Sequence, residues 1–431
     1  MTSSEAATGP HVLRRINERV VLEQLRVAAS LRLSELMEST GLSRPAVARA
    51  VASLTEAGWL QEVAESDQPE RRLGRPAQRV RFCAERGHVL GIDAGPHNVR
   101  VCVADLAGRA VADHKVEKGS GSWAAADVLA AITRCTDEAL ERAGLRRSDI
   151  WSVGVGTPGI VDEAEGTVTL APSIHGWAGL SVGQEIRAGF DCPVYLDNEA
   201  NLSALAESWS GVAAGTRHSV FVQWGARIGL GIVIDGKLHR GGASGAGELG
   251  FVDLAMPPDA DEPPVPRSGA GGNEGEGEGE GERMGAFERL VGAAAIVELA
   301  VSEAERAGDE ELRRALTTPD QTVNAGTFFA AASRGDNAAV TRTVERVAGR
   351  FARGIAVAAL VLDPDLIVIG GGVSQCGAPL LAAIERRLRP RLLTAPRLEL
   401  SALGARSVAT GGIRRALDEV QARWDRGAFE K

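Results

Sequence analysis

Two acids and two amides crowd the stretch YLDNEANLSALAE, Tyr195–Glu207: Asp197, Asn198, Glu199 and Asn201 fall within five positions. The apolar run CPVYL precedes them and a helix-like LSALAE follows. Carboxylates and amides at the C-terminal end of a strand can act as a general base, cradle a ligand, or cap the next helix.

Such residues need a scaffold that brings them to one edge. HVLGIDAGPHNVRVCVADLAGRAV reads as strand, glycine turn and strand, and WSVGVGTPGIVD as an apolar strand running into Gly156–Gly159. SVFVQWGARIGLGIVIDGKLHRGG makes two strands hinged at Gly225–Gly231, and PDLIVIGGGVS delivers Gly370–Gly372 to a helix. Helical periodicity fills the spaces between, notably over 338–362 and 412–426. Alternating strands and helices predict an α/β body. Glycine turns at strand ends bring backbone N–H groups to an anion.

Residues 1–86 are organised differently. Ile16, Val20, Leu22 and Leu25 recur near the helical period, Leu33–Thr40 makes a second helix, and Gly41 is placed to end it. In GLSRPAVARAVASLTEAGWL, Ser43 suits an N-cap and Pro45 the first turn. Val47, Val51 and Leu54 form the inward stripe; Pro45, Ala46, Arg49 and Ser53 fall opposite, with Arg44 at the helix start. Small residues around an arginine let a helix enter a major groove, where Arg reads guanine edges. GWLQEVAESDQPERRLGRPAQRVRF then reads as a hairpin carrying Arg71, Arg72 and Arg75, the last in a Gly-Arg-Pro triplet suited to a narrow minor groove. Three helices and a basic hairpin in this order predict a winged helix-turn-helix. It would bind double-stranded DNA through Ser43, Arg44, Pro45, Ala46, Arg49, Ser53 and the three wing arginines.

Charge divides along the same line. The chain carries −9 overall, whereas residues 1–86 hold 13 Arg against 11 Asp and Glu, a local +2 that leaves −11 for the remainder. This argues against indiscriminate nucleic-acid binding and fits a DNA-reading head on an acidic body. Five scattered cysteines without a CxxC suggest neither a disulfide framework nor a zinc knuckle and point to a reducing cytosol. Seven histidines lack ligand spacing, so no metal and no cofactor is assigned. With no signal pattern and no apolar run of membrane-spanning length, a cytoplasmic protein without a membrane partner is expected.

Taken in order, GIDAG, GVGTPGIVD, APSIHGW, LDNEANLSALAE, IGLGIVIDGKLHRG, GASGAGELG and VIGGGVS resemble the ROK family of repressors, open reading frames and sugar kinases. The winged helix and Gly-Arg-Pro are similar to its repressor branch, of the xylose and N-acetylglucosamine type. The resemblance implies a mostly α winged helix-turn-helix over 1–86, then an α/β two-lobed, actin/hexokinase-like (ribonuclease-H-like) domain over 87–431. Lobe one would span about 87–205 plus a C-terminal helix at about 411–428, and lobe two about 206–410. A disordered acidic Gly/Glu/Pro loop is expected at 257–284.

Departures from the kinase pattern bear on function more than the matches do. The first phosphate turn of family kinases, Asp-x-Gly-Gly-Thr, is here Asp93-Ala94-Gly95-Pro96-His97. Proline offers no N–H, and histidine lacks the threonine hydroxyl. The second, Gly-Thr-Gly, is Gly225-Ala226-Arg227, whose arginine fits either pairing with a phosphate or filling its place. The kinase base, an Asp, is Glu199, one methylene longer, in chemistry that depends on close positioning. Family zinc sites use Glu-x-Gly-His and a cysteine-rich loop; Glu248-Leu249-Gly250-Phe251 offers no zinc ligand at the last position. What the resemblance leaves for a sugar is Asn198, Glu199, Glu248, and the backbone and hydroxyl of Gly156-Thr157. Asp197 and Asn201 are read as caps of the following helix, and Trp177 as core.

The expected protein is a DNA-binding regulator, not an enzyme: a sugar-responsive repressor of carbohydrate-utilisation genes with a degenerate kinase-like sensor. It would act as a homodimer, or a tetramer, on a palindromic operator. The rivals are an ATP-dependent sugar kinase and a regulator of this family that has lost small-molecule sensing.

Overall fold

The computed structural model describes residues 10–63, 79–118, 121–171, 173–254, 284–317 and 325–426. The wing arginines Arg71, Arg72 and Arg75, and the acidic loop up to residue 283, lie outside them.

The head consists of α1 (Pro10–Val27), β1 (Leu31–Arg32), α2 (Leu33–Thr40), α3 (Arg44–Glu56), β2 (Leu60–Val63) and β3 (Arg79–Phe82). The strands form an antiparallel sheet in the order β1-β3-β2, the stem of the expected hairpin. α2 stops at Gly41, whose φ of +69° is a conformation that glycine adopts without steric cost. α3 buries Val47, Ala50, Val51 and Leu54 against Val21, Leu22 and Leu25 of α1. Ile16, expected in that stripe, is exposed, because the helical step carries it to the far side from Leu25.

The first half of the body runs β4 (His88–Ala94), β5 (Asn98–Asp105), β6 (Ala110–Glu117), α4 (Ala125–Ala143), β7 (Ile150–Thr157), β8 (Ile160–Asp162), β9 (Thr167–Leu170), α5 (Val182–Arg187), β10 (Val194–Asn198) and α6 (Glu199–Ser210). Its sheet has the order β10-β7-β4-β5-β6, with β4, β7 and β10 parallel. The second half runs β11 (Ser219–Trp224), β12 (Ile228–Ile234), β13 (Lys237–His239), α7 (Glu288–Val291), α8 (Ala293–Ala307), α9 (Glu310–Leu316), α10 (Ala325–Arg334), α11 (Ala338–Leu362), β14 (Leu366–Gly370), α12 (Gly377–Leu388), β15 (Arg397–Leu400) and α13 (Ser407–Asp425). Its sheet has the order β13-β12-β11-β14-β15. Among the described residues no helix is long and apolar enough to cross a membrane.

α13 returns to the first sheet and lies on β4, β7 and α6 with almost no side chain between. A Cβ on Gly91 would stand 1.9 Å from the Ala409 carbonyl, one on Gly154 2.1 Å from that of Gly412, and one on Gly411 1.9 Å from that of Leu202. Glycine is required at each because backbone meets backbone. The far end of α13 places Trp424 against Trp59 and Phe82 of the head, with ring centroids 4.9 and 6.2 Å away. Trp151 of β7 closes the cluster 5.7 Å from Trp59. Head and body thus share one core.

Candidate functional site

Strand register sets the candidate residues side by side. Asp93 on β4 pairs with Gly156 on β7, Gly156 with Asp197 on β10, and Thr157 with Asn198. These are the C-terminal ends of parallel strands, the edge where open α/β sheets hold ligands. Glu199 opens α6 one residue later, and Glu248 approaches it from the glycine-rich segment after β13, near enough for the two charges to interact.

The helix cap differs from the expectation. Asn198, rather than Asp197 or Asn201, is the N-cap: its Oδ1 accepts from the N–H groups of Ala200 at 2.8 Å and Asn201 at 3.4 Å. Its Nδ2 donates to the Gly159 carbonyl at 2.8 Å. Most of its hydrogen-bonding capacity is thus committed locally, in the capping role expected of Asp197 and Asn201. Asp197 is 4% exposed and is held from two sides. Its Oδ1 accepts from Asn198 N–H at 2.8 Å and Asn201 Nδ2 at 2.9 Å, and its Oδ2 from Arg240 at 2.7 and 3.1 Å.

The Thr157 hydroxyl is also occupied. Trp177, buried in the core as expected, donates its Nε1–H to Thr157 Oγ1 at 2.8 Å. A Cβ on Gly156 would meet Val408 Cγ1 of α13 at 2.2 Å. Gly156 and Thr157 are therefore packed into the core behind the strand ends, and the Thr157 hydroxyl, fully buried, bonds there.

Asp93, Glu199 and Glu248 remain. All three are half-buried, and among the described residues none donates a hydrogen bond to their carboxylates. Burial pushes Asp93 up to about 7. Burial, reinforced by the charges of Asp93 and Glu248, pushes Glu199 up to about 8. Burial and then Glu288 raise Glu248. Carboxyl groups that lack donors suit a ligand rich in hydroxyls.

The two turns that family kinases use for phosphate are engaged with the protein itself. Gly95 N–H donates to the Asn98 carbonyl at 3.0 Å, and His97 Nδ1 lies 3.1 Å from the Gly121 carbonyl. Gly225 N–H donates to the Arg227 carbonyl at 2.9 Å. Arg227 pairs with Glu288 at 3.2 Å, and Glu288, 3% exposed, also accepts from the N–H groups of Ile228 at 3.2 Å and Gly285 at 2.8 Å. Among the described residues no cluster of three or more His, Cys, Asp or Glu could hold a metal ion.

On the head, Ser43, Arg44, Pro45 and Arg49 are exposed and Ala46 is half-buried. Ser43 occupies the N-cap position of α3 without a side-chain bond to the helix. Ser53 is half-buried, and Arg14 of α1 donates to its Oγ at 2.5 Å. Exposed positions run through Pro45, Arg49 and Ala52, at i, i+4 and i+7. That spacing could have been read from the sequence.

The ROK family model matches residues 89–413, and the IclR helix-turn-helix domain model matches residues 20–64. The chain belongs to the ROK family, and ahead of that domain it carries an IclR-type helix-turn-helix, the build of a DNA-binding regulator. It is 25% identical over 419 residues to the putative xylose repressor of Caldicellulosiruptor sp. (strain Rt8B.4), covering 96% of this chain and 98% of that one. It is 27% identical over 333 residues to the glucokinase of Halalkalibacterium halodurans, covering 75% and 93%. The solved structure of a ROK family transcriptional regulator, a homolog of the E. coli MLC protein, matches with a TM-score of 0.71 at 21% identity, covering 96% of this chain and 99% of that one. That match extends the fold over head and lobes together.

Proposed function

We propose that this chain is a sugar-responsive transcriptional repressor whose lobes hold a sugar as effector rather than substrate. One observation carries the reading: α13 touches both sites. It lies backbone to backbone on the strand that carries Asp93 near its end and on the helix that Glu199 opens, and its last turn puts Trp424 into the core of the head. A sugar that binds two lobe arrangements with different affinity therefore changes how the head is held. Asp93, Glu199 and Glu248 offer acceptors to the hydroxyls of a neutral polyol. Arg44, Pro45 and Arg49, with Arg71, Arg72 and Arg75 of the wing, meet the DNA. A homodimer presents two such heads to a palindromic operator in the cytoplasm. The xylose-repressor relative favours genes of carbohydrate utilisation as targets.

The test starts from an operator selected out of random duplex DNA, with binding followed by fluorescence anisotropy. D-xylose, D-glucose or N-acetylglucosamine should weaken operator binding roughly tenfold, within the usual range of allosteric coupling. Glu248→Ala should abolish that response and leave the sugar-free affinity unchanged. The glucokinase relative favours a second reading, a sugar kinase, which a coupled assay with ATP and the same sugars addresses. Turnover that Glu199→Gln abolishes would replace the regulator reading of the cleft. Silence in both assays would mark a regulator that senses no small molecule.

A further inference from the structure

Four charged side chains form a continuous line across the molecule. Arg240, in the turn after β13, donates Nε and Nη2 to Asp197 Oδ2 at 3.1 and 2.7 Å. Its Nε also lies 3.5 Å from Glu163 Oε2. Glu163 Oε1 in turn accepts from Nε and Nη2 of Arg415, on α13, at 3.2 and 3.1 Å. The Arg415 guanidinium covers the Tyr195 ring, 4.2 Å from its centroid. None of the four is freely solvated: the side chains of Arg240, Glu163 and Arg415 are 26%, 31% and 22% exposed, and that of Asp197 is 6% exposed.

The line joins parts of the molecule that belong to different sheets. Asp197 stands two positions before Glu199, at the end of β10 in the first sheet. Arg240 leaves the edge strand of the second sheet, and its carbonyl accepts from Ala246 N–H at 3.1 Å, closing the turn that leads into Glu248. The Arg240–Asp197 pair therefore pins the segment bearing one cleft carboxylate to the segment bearing the other. Glu163 sits between β8 and β9, and Arg415 lies on α13, whose far end enters the head. A buried carboxylate that loses its partner is costly, so the pair opposes separation of the lobes. A fork that grips one carboxylate through two nitrogens also fixes direction as well as distance.

We propose that Arg240 is a positioning residue. It sets the separation of Glu199 and Glu248 across the cleft and, through Glu163 and Arg415, ties that separation to α13 and the head. The proposed sugar-sensing function says what the cleft holds; the mechanical link stands on the contacts alone.

The experiment is hydrogen–deuterium exchange on the full chain, without sugar or DNA. Arg240→Ala should raise exchange at least threefold, roughly, in segments 194–201 and 240–248, and also in 407–425. Arg415→Ala should do the same in 407–425 and 240–248, and the double variant should exceed neither single one, as expected of residues acting in one network. Arg240→Lys, which keeps the charge but loses the fork, should recover part of the protection. Glu163→Gln leaves Arg240 on Asp197 and so supplies a readout even if Arg240→Ala does not fold: 194–201 should stay protected while 240–248 and 407–425 loosen as they do in Arg415→Ala. An Arg240→Ala effect confined to 194–201 and 240–248, or single effects that simply add, would overturn the proposal. A failed sugar titration would leave these results standing, and a failure here would leave the sugar response as it is.

Discussion

The two ends of α13 are held by opposite kinds of chemistry. At the head, Trp424, Trp59, Phe82 and Trp151 interlock with no residue more than 8% exposed, and the guanidinium groups of Arg26 and Arg86 cover the outer ring faces at 5.5 and 4.5 Å. At the cleft, the neighbouring β4 and α6 present carboxylates that are half-buried, raised in pKa and short of donors. The apolar end is buried and close-packed, so a shift of α13 there would be felt by the rings around it. The polar end is incomplete, so it responds to whatever supplies protons or hydroxyls. Close apolar packing and unsatisfied carboxylates are thus separated along one helix.

The contrast breaks most visibly at the aromatic end. Trp424→Ala should cost about 3–5 kcal/mol in denaturant unfolding, the range for a large buried ring. Trp424→Phe should cost much less, because the indole Nε1 finds no acceptor among the described residues. Next comes the close packing of α13. Gly411→Ala drives a Cβ into the Leu202 carbonyl and should lower stability by about 1–3 kcal/mol. An unchanged melting curve would show that the helix has slack after all. On the DNA face, Arg49→Ala should weaken operator binding by about 1–3 kcal/mol and relax specificity at one base pair.

The cleft end is sharpened by pH. Raised carboxyl pKa values mean that the native chain holds protons the unfolded chain has released, over a window from the ordinary Glu range up to about 8. The contribution is fully present below that window and is lost as pH rises through it, so the midpoint of thermal unfolding should fall between about pH 5 and 8. Glu199→Gln should flatten that fall by a few degrees. A slope unchanged by the substitution would place the sensitivity elsewhere. Smallest of all, Ser53→Ala should shift operator affinity by no more than about 0.5 kcal/mol, since Arg14 already holds the hydroxyl.

Local features of the chain were legible from the sequence. The helix over 338–362, the stop at Gly41, the inward stripe of α3 and the glycine turns at strand ends follow from period and from the conformations glycine allows. The site was legible only as a neighbourhood. Asp197 could be read as a cap because its ion-pair partner, Arg240, lies 43 positions away, and nothing local announces that pairing. The contact of Ser53 with Arg14 was hidden for the same reason, the two lying 39 positions apart. The four-ring cluster draws single aromatic residues from the head, β7 and α13, and only the closed fold brings them together. Glu199 and Glu248, by contrast, could be singled out because carboxylate chemistry shows in the residue type itself.

The shared core has a consequence for the order of manufacture. A ribosome releases the recognition helix among the first elements and α13 as the last described one, with more than three hundred residues between them. Nascent domains ordinarily fold as they emerge. This head lacks the Trp424 wall of its core until α13 arrives. A prematurely terminated product would therefore carry the whole helix-turn-helix on a module that lacks one wall of its core.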